Sequence, residues 1–442
     1  MSASVRGGEM SHVHDVIGIG FGPANLALAI ALQEEDSGLD AHFLESRPGP
    51  SWQSAMMLPG SDIQNHPVRD LVSLRNPRSR YSFINYLFEQ GRLLDHLNLP
   101  VEFPLRKEYA QYVCWAAGHF ADRVDYGTSV SAVTVEQDGG GEPCYAVTTS
   151  TGARHRARSL VVGTGRSPYV PAPFDTVDSP RVFHLTRYLP ALETLAERGL
   201  VGGDGPAPKD IAVIGGSQSA VELTLDLSRR FPDARVTTYV RPFGLREKDT
   251  SPFSEEGYFP EFTDYYYRVP RERKDVLDSY MRLTNYSAAD GDVLRELYTL
   301  IYEQRLDGDQ RVFVRGSRQV RRVEADEAGV GLTIEELNTG AHEQARADMV
   351  VLATGFRDLG PAAHQEPVPP LLSRLTDRFA FDEHGYLKVT YDYEVETGAA
   401  GTPPLFLNGL CESSHGIGDS GSFSLLSLRA KAITDGLRKH LL

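Results

Sequence analysis

Cysteine is almost missing from this 442-residue chain: Cys114, Cys144 and Cys411 stand singly, far apart and outside any CxxC pair. Their isolation excludes a disulfide framework, a cysteine-built zinc cluster and a dithiol redox centre, and it fits a reducing cytoplasm. Long apolar runs are lacking too, since none reaches the roughly 18 to 20 residues that a membrane span needs. The first twelve residues hold no basic segment followed by an apolar one, so no secretory signal is read there and residues 1–12 are expected to be a disordered leader. Positive charge is scarce: 45 Lys and Arg against 60 Asp and Glu give a net charge of −15, which argues against a nucleic-acid surface. Neither a metal site nor a nucleic-acid or membrane partner is expected.

What is present suffices for more than one core. The chain is longer than the roughly 250–300 residues at which a single core stops growing. Its 41% hydrophobic and 24% charged residues are a globular balance rather than a disordered one, so two or three domains are expected. A short β-branched run meeting glycines and then a helical pattern occurs twice, at residues 13–32 and 211–227. Residues 131–162 alternate like antiparallel strands around Gly139-Gly140-Gly141, and 202–208 read as a Gly/Pro-rich linker. A strand at 349–353 ends in Thr354-Gly355, as an earlier one ends in Gly163-Thr164-Gly165; such ends let backbone approach a dinucleotide or cross between domains. The expected fold is α/β, with two Rossmann-like dinucleotide-binding domains. The first would be discontinuous, 13–200 plus 345–442. The second, 206–344, would be inserted and include a mostly helical substrate region at about 250–305.

The first glycine motif is Gly18-Ile19-Gly20-Phe21-Gly22-Pro23-Ala24-Asn25-Leu26, after a strand at 15–19 and before a helix to about Leu32. Its glycines permit a tight turn and bring a pyrophosphate to a helix N-terminus, where free N–H groups and the dipole attract anions. Glu45 ends the next strand, where an acid accepts hydrogen bonds from ribose hydroxyls and repels a 2′-phosphate, so the site reads as FAD rather than NADP. Alone, such a motif is often no more than a strand-helix turn; strand, helix and acid together favour the dinucleotide. Pro23 in place of the third glycine is a departure. The second motif is Gly215-Gly216-Ser217-Gln218-Ser219-Ala220-Val221-Glu222, and the strand that follows it, 236–240, ends in Arg241 rather than an acid. A guanidinium there can pair bidentately with a 2′-phosphate, which points to NADPH, although Arg241 alone is equally well a solvated loop cation.

In these motifs the chain resembles the flavin-dependent N-hydroxylating monooxygenases, the ornithine, lysine and diamine N-hydroxylases of siderophore biosynthesis. The likeness extends to Ser51-Trp52-Gln53, Ile63-Gln64, Arg69-Asp70-Leu71, Arg106-Lys107-Glu108-Tyr109, Thr284-Asn285-Tyr286-Ser287 and Ser414-His415-Gly416, and covers nearly the whole chain. It implies FAD and NADPH as cofactors, and O2 and a small amine as substrates. Reduced flavin would react with O2 to a C4a-hydroperoxide whose distal oxygen passes to a neutral amine nitrogen while NADP+ stays bound. An alkylammonium has a pKa near about 10.4 in water, so the site must desolvate it or offer it an acceptor. The resemblance also implies a homo-oligomer, dimer or tetramer. It sets Trp52 and Gln53 against the flavin and Gln64 near the isoalloxazine and nicotinamide. Gly215, Ser217, Gln218, Ser219 and Arg241 would hold NADPH, Thr354 and Gly355 would approach a dinucleotide, and Asn285 would hold substrate or the nicotinamide region. In the plainer readings Trp52 is ordinary core and Asn285 caps a helix beginning near Ala288.

Two departures bear on the substrate. The family's amino-acid hydroxylases usually have a lysine for the substrate carboxylate where this chain has Arg69, which keeps the charge on a wider fork. Glu255 stands where the family often has asparagine, and a carboxylate cannot share a substrate carboxylate without a cation between them. Glu255 therefore either pairs with Arg69 or receives a substrate cation, as it would in a diamine hydroxylase. Ser424 lies in a run, 418–426, slightly longer than the family's, and is the remaining substrate candidate. Disulfide reductases share the two-dinucleotide plan but need the dithiol that is lacking here. A sulfide or Baeyer-Villiger monooxygenase and a non-enzymatic flavin sensor are the competing functions.

Overall fold

The computed structural model describes residues 12–203 and 205–442. The expected leader falls on residues 1–11, outside the described residues, except for His12, which is placed and bonded to Asp40. Strand Val13–Ile19 is half-exposed over its first three residues and buried over the next four, where the sequence turns continuously apolar. It stands inside a seven-stranded sheet in the order Val124–Tyr126, Ala41–Glu45, Val13–Ile19, Arg154–Val162, Pro143–Thr149, Val130–Gln137, with Leu405–Leu407 also beside Arg154–Val162. The last three strands of that order form the antiparallel meander expected at 131–162. Helix Pro23–Glu34 is buried from Asn25 to Leu32. It is apolar around its circumference because it lies between this sheet and the C-terminal helix Leu426–Leu441.

A second sheet is wholly parallel, in the order Val312–Arg315, Arg235–Tyr239, Asp210–Ile214, Met349–Leu352, Val182–His184. Here the structure corrects the boundaries drawn from sequence. Val182–His184 and Met349–Leu352 lie in stretches assigned to the first domain, yet both pair into the second sheet, with Val350 opposite Val182 and Met349 opposite Ile211. Short apolar strands carry no mark of which sheet will bury them. The antiparallel meander Arg318–Asp326, Gly329–Glu336, His342–Ala347 covers this sheet, packing Val320, Val330, Leu332 and Ile334 on Ala212, Val350 and Leu352.

The region expected to be helical is so, with Pro252–Glu255, Pro260–Arg268, Arg271–Met281 and Gly291–Leu306. The first three begin at or just after a proline, whose fixed φ and missing N–H suit a helix start. Two chain crossings between the sheets lie side by side: Tyr169 N–H donates to the Gly355 carbonyl at 2.9 Å and the Thr354 hydroxyl to the Tyr169 carbonyl at 2.5 Å. Thr354 and Gly355 are thus seated at an interdomain crossing. Among the described residues no helix is long and apolar enough to cross a membrane.

Candidate active site

The glycines of the first turn divide their work differently from the sequence reading. A β-carbon built on Gly18 would lie 2.2 Å from the Phe43 ring, and one on Gly20 2.7 Å from the Gly163 carbonyl oxygen, so these two make room for protein. Gly20 also holds φ +84°, which glycine adopts without strain. Gly22 has nothing within 4 Å of its missing side chain and caps a helix that Pro23 opens. Open space in front of a first turn whose N–H groups lack intrahelical acceptors is what a pyrophosphate needs. Glu45 is buried, and its carboxylate accepts the backbone N–H of Phe21 at 2.7 Å and of Arg47 at 2.8 Å, so it braces the turn besides offering its remaining lone pairs to a ribose. Beneath the turn lies a buried chain that sequence reasoning passed over. Asn25 donates to the Gly20 carbonyl at 2.7 Å, Asn408 to Asn25 at 3.1 Å, Arg429 to Asn408 at 2.8 Å and to Asp419 at 2.9 Å.

The second turn repeats the plan. Gly215 packs on the Ala353 carbonyl, Ser217 is the cap position of helix Gln218–Arg230, and the hydroxyls of Ser217 and Ser219 have no partner among the described residues. Arg241, two residues past strand Arg235–Tyr239, is exposed and has no ion pair among the described residues. Its neighbour was missed from the sequence. Arg315 pairs in register with Tyr239 on the adjacent strand and is likewise exposed and without a salt bridge among the described residues. With Phe243, 92% exposed, it lines a cleft of about 340 Å³. Strand register alone reveals that pairing.

A closed ring of polar contacts joins the two halves. Arg106, the first residue of helix Arg106–Gly118, forks onto buried Glu222 at 2.9 and 3.0 Å and donates to the carbonyls of Met56 and Asp62. Gln218 donates to Glu222 at 3.1 Å and accepts from the Asp290 N–H at 2.8 Å; Gln64, held at φ +52°, donates to the Asp290 carboxylate at 2.5 Å. A cation in a helix's first turn opposes the dipole, and Glu222 compensates it; removing one partner of such a buried pair typically costs about 3–5 kcal/mol. Burial, reinforced by the nearby Asp290 and Glu222 charges, pushes the Asp62 carboxyl up to about 6, although it accepts the Gln64 N–H at 2.9 Å. Gln64 and Gln218, named from sequence, are thus held together by Arg106, Glu222 and Asp290, which were not.

The substrate candidates converge in part. The Arg69 guanidinium lies 3.5 Å from Glu255 and 3.4 Å from the buried Ser424 hydroxyl, joining segments 186 and 355 residues apart. These long contacts leave donors and acceptors to spare. Trp52 is half-buried and faces Tyr109 and Phe423 with ring centroids 5.9 and 5.3 Å away, an aromatic wall continuous with the core; Gln53 is exposed and left-handed at φ +48°. The capping reading of Asn285 is corrected: the helix starts at Gly291 with Asp290 as its cap, and the Asn285 side-chain amide has no partner among the described residues, its backbone N–H donating to the Arg282 carbonyl. Beside it Arg166 donates to Tyr286 at 2.9 Å and to Asp358 at 2.8 Å, while Tyr286 and Ser420 donate to Glu412. Burial raises the Glu412 carboxyl well above the carboxylate range.

The chain matches the family described as L-lysine 6-monooxygenase/L-ornithine 5-monooxygenase over residues 12–358. It is 37% identical over 412 residues to an L-ornithine N(5)-monooxygenase of Burkholderia cepacia, covering 91% of this chain and 90% of the relative. Its structure superposes on the ornithine hydroxylase of Pseudomonas aeruginosa with TM-score 0.86 at 32% identity, over 98% of this chain and 100% of that one. The ornithine N-hydroxylase of Kutzneria sp. 744, with reduced FAD, NADP+ and L-ornithine, superposes with TM-score 0.87 at 30% identity, over 97% of this chain and 99% of that one. With both glycine turns in place and the match running through each of them, this chain belongs to the lysine/ornithine N-monooxygenase family.

Proposed function

We propose that the protein hydroxylates the side-chain amine of an ornithine- or lysine-like amino acid, using FAD, NADPH and O2. The observation that carries this reading is the contrast between the two turns. Glu45 closes the first with a buried carboxylate that keeps lone pairs to spare, while Arg241 and Arg315 stand exposed and without an ion pair among the described residues beside the second. An acid suits ribose hydroxyls and two guanidiniums without an ion pair, that of Arg315 lying over the Phe313 ring, suit a 2′-phosphate, so FAD goes to the open space before Gly22 and NADPH to Ser217, Ser219, Arg241 and Arg315. When bound, the reduced flavin activates O2 and supplies the oxygen atom. The chain's own residues orient the amine and keep water out: Asn285 offers a free amide, Arg69 takes a carboxylate, Ser424 and Glu255 face an α-ammonium, and Trp52 supplies an apolar wall.

A diamine is the second reading, supported by the loose 3.5 Å contact that leaves Glu255 able to hold a second ammonium. An amine panel of L-ornithine, L-lysine and their decarboxylated diamines, read by hydroxylamine product alongside NADPH oxidation, separates the two. Oxidation of NADPH without hydroxylamine from any member sinks both. A dimer or tetramer is part of the proposal, and sedimentation at micromolar concentration reads it.

Coenzyme choice follows from these two guanidiniums. Arg241→Ala is expected to lower kcat/KM for NADPH by roughly 10- to 150-fold, the loss of one charge-assisted pair of about 1.5–3 kcal/mol, and to leave NADH nearly unaffected. Arg315→Ala should act in the same direction and less. Equal efficiencies with NADH and NADPH in the unmodified enzyme would contradict the assignment.

A further inference from the structure

The nucleotide turns occupy the C-terminal ends of the parallel strands, and the opposite rim of the first sheet carries a cluster they do not use. His12 immediately precedes strand Val13–Ile19, His14 lies within it, and Asp40 immediately precedes strand Ala41–Glu45. His12 Nε2 and His14 Nδ1 point at the same carboxylate oxygen of Asp40, at 2.6 and 2.9 Å. The three donor atoms lie within 4.8 Å of one another. Behind them His42 stacks on His14 with ring centroids 5.2 Å apart, and His42 is itself anchored 3.0 Å from Asp125.

We propose that His12 Nε2, His14 Nδ1 and Asp40 form a binding site for a borderline divalent cation of the zinc, nickel or copper class. Two imidazoles and a carboxylate are the donor set such ions prefer over hard, oxygen-seeking magnesium. Metal–ligand bonds of about 2.0–2.2 Å with tetrahedral angles set donors roughly 3.3–3.6 Å apart, so the 2.6 and 2.9 Å contacts must open by about half to one ångström, a movement left to the exposed His12 and Asp40 side chains while the largely buried His14 stays in place. Each neutral imidazole can turn its lone pair toward the ion by carrying its N–H on the other ring nitrogen, so the ion takes the place of the two hydrogen bonds to Asp40. Water completes the coordination on the solvent side, and the stacked His42 fixes the plane of the His14 ring from behind. An ion here would tie together the starts of two adjacent parallel strands, so metal binding and strand stability are linked. The sequence, read for cysteine clusters, gives no hint of this: Asp40 comes to the two histidines only when the strands pair.

The test uses the flavin-loaded, tag-free enzyme after chelator treatment, titrated with Zn2+, Ni2+ and Mg2+ by calorimetry and by thermal unfolding. Expected are one saturable equivalent of Zn2+ or Ni2+, a Tm that climbs with metal concentration, and no response to Mg2+. His12→Gln and Asp40→Asn keep hydrogen-bonding groups and should abolish binding, while flavin content and the rate of NADPH oxidation stay at the parent's level. Absence of saturable binding in the parent enzyme, or its survival in the double variant, overturns the site.

Discussion

Gly20→Val is expected to yield a protein that purifies without flavin. Gly20 lies at φ +84°, a region that a β-branched residue enters only with strain, and the added β-carbon would sit 2.7 Å from the Gly163 carbonyl oxygen. Gly163 is tied in place, since its N–H donates to the Ile19 carbonyl at 2.9 Å and Asn25, whose amide holds the Gly20 carbonyl, fills the space where a Gly163 side chain would be. The turn must therefore move, taking with it the Phe21 N–H that Glu45 accepts. The measurement is visible flavin absorbance per chain, with far-ultraviolet circular dichroism to report folding. A variant that fails to fold would leave the cause ambiguous, and Gly22 removes the ambiguity. Its φ of −75° admits any residue and its missing side chain faces nothing within 4 Å, so Gly22→Val should fold normally and still lose flavin, because its methyls enter the space assigned to the pyrophosphate. A full flavin complement in Gly20→Val, or in a folded Gly22→Val, would refute the placement.

The two turns were readable because each is a local event: a β-branched run, glycines at fixed spacing and a helical period all lie within some twenty residues. The role of each glycine was not, since Gly18 answers to Phe43 and Gly20 to Gly163, residues brought near only by strand pairing. The same limit hid the ring through Arg106, Glu222, Gln218, Asp290 and Gln64. Arg106 and Glu222 are 116 residues apart and Gln64 and Asp290 are 226 apart, so nothing in either neighbourhood announces the other. Arg315 is a further instance, visible only once its strand is seen beside Arg235–Tyr239. Val182–His184 and Met349–Leu352 fell inside the bounds drawn for the first domain because an apolar run of three or four residues carries no mark of the sheet that will bury it. Asn285 escaped its capping role for the opposite reason. The helix begins six residues beyond it, and local rules place helix starts only to within a few residues.

Arg69→Ala is expected to raise KM for a carboxylate-bearing amine by roughly 10- to 150-fold, the cost of removing a charge-assisted hydrogen bond of about 1.5–3 kcal/mol, while flavin reduction by NADPH stays nearly intact. The geometry argues for this split. Arg69 contacts Glu255 and Ser424 but none of the residues assigned to either nucleotide, so its removal leaves both turns and the Arg106–Glu222 ring undisturbed. It also leaves Glu255, partly shielded from water, without its cation, and an unpaired carboxylate repels a substrate carboxylate, which pushes KM in the same direction. Removing an interaction made with the substrate before reaction affects KM more than kcat; a fall in kcat with peroxide leakage would instead indicate damage at the flavin. Arg69→Lys restores charge without the fork and should recover part of the binding. Glu255→Gln supplies the opposing sign: it frees Arg69 from its charged 3.5 Å partner and removes the negative charge that would pair with a second ammonium, so a diamine should suffer more than an amino acid. If Arg69→Ala and Arg69→Lys both bind the best amine as tightly as the parent, Arg69 does not read a substrate anion, and the diamine facing Glu255 becomes the preferred substrate.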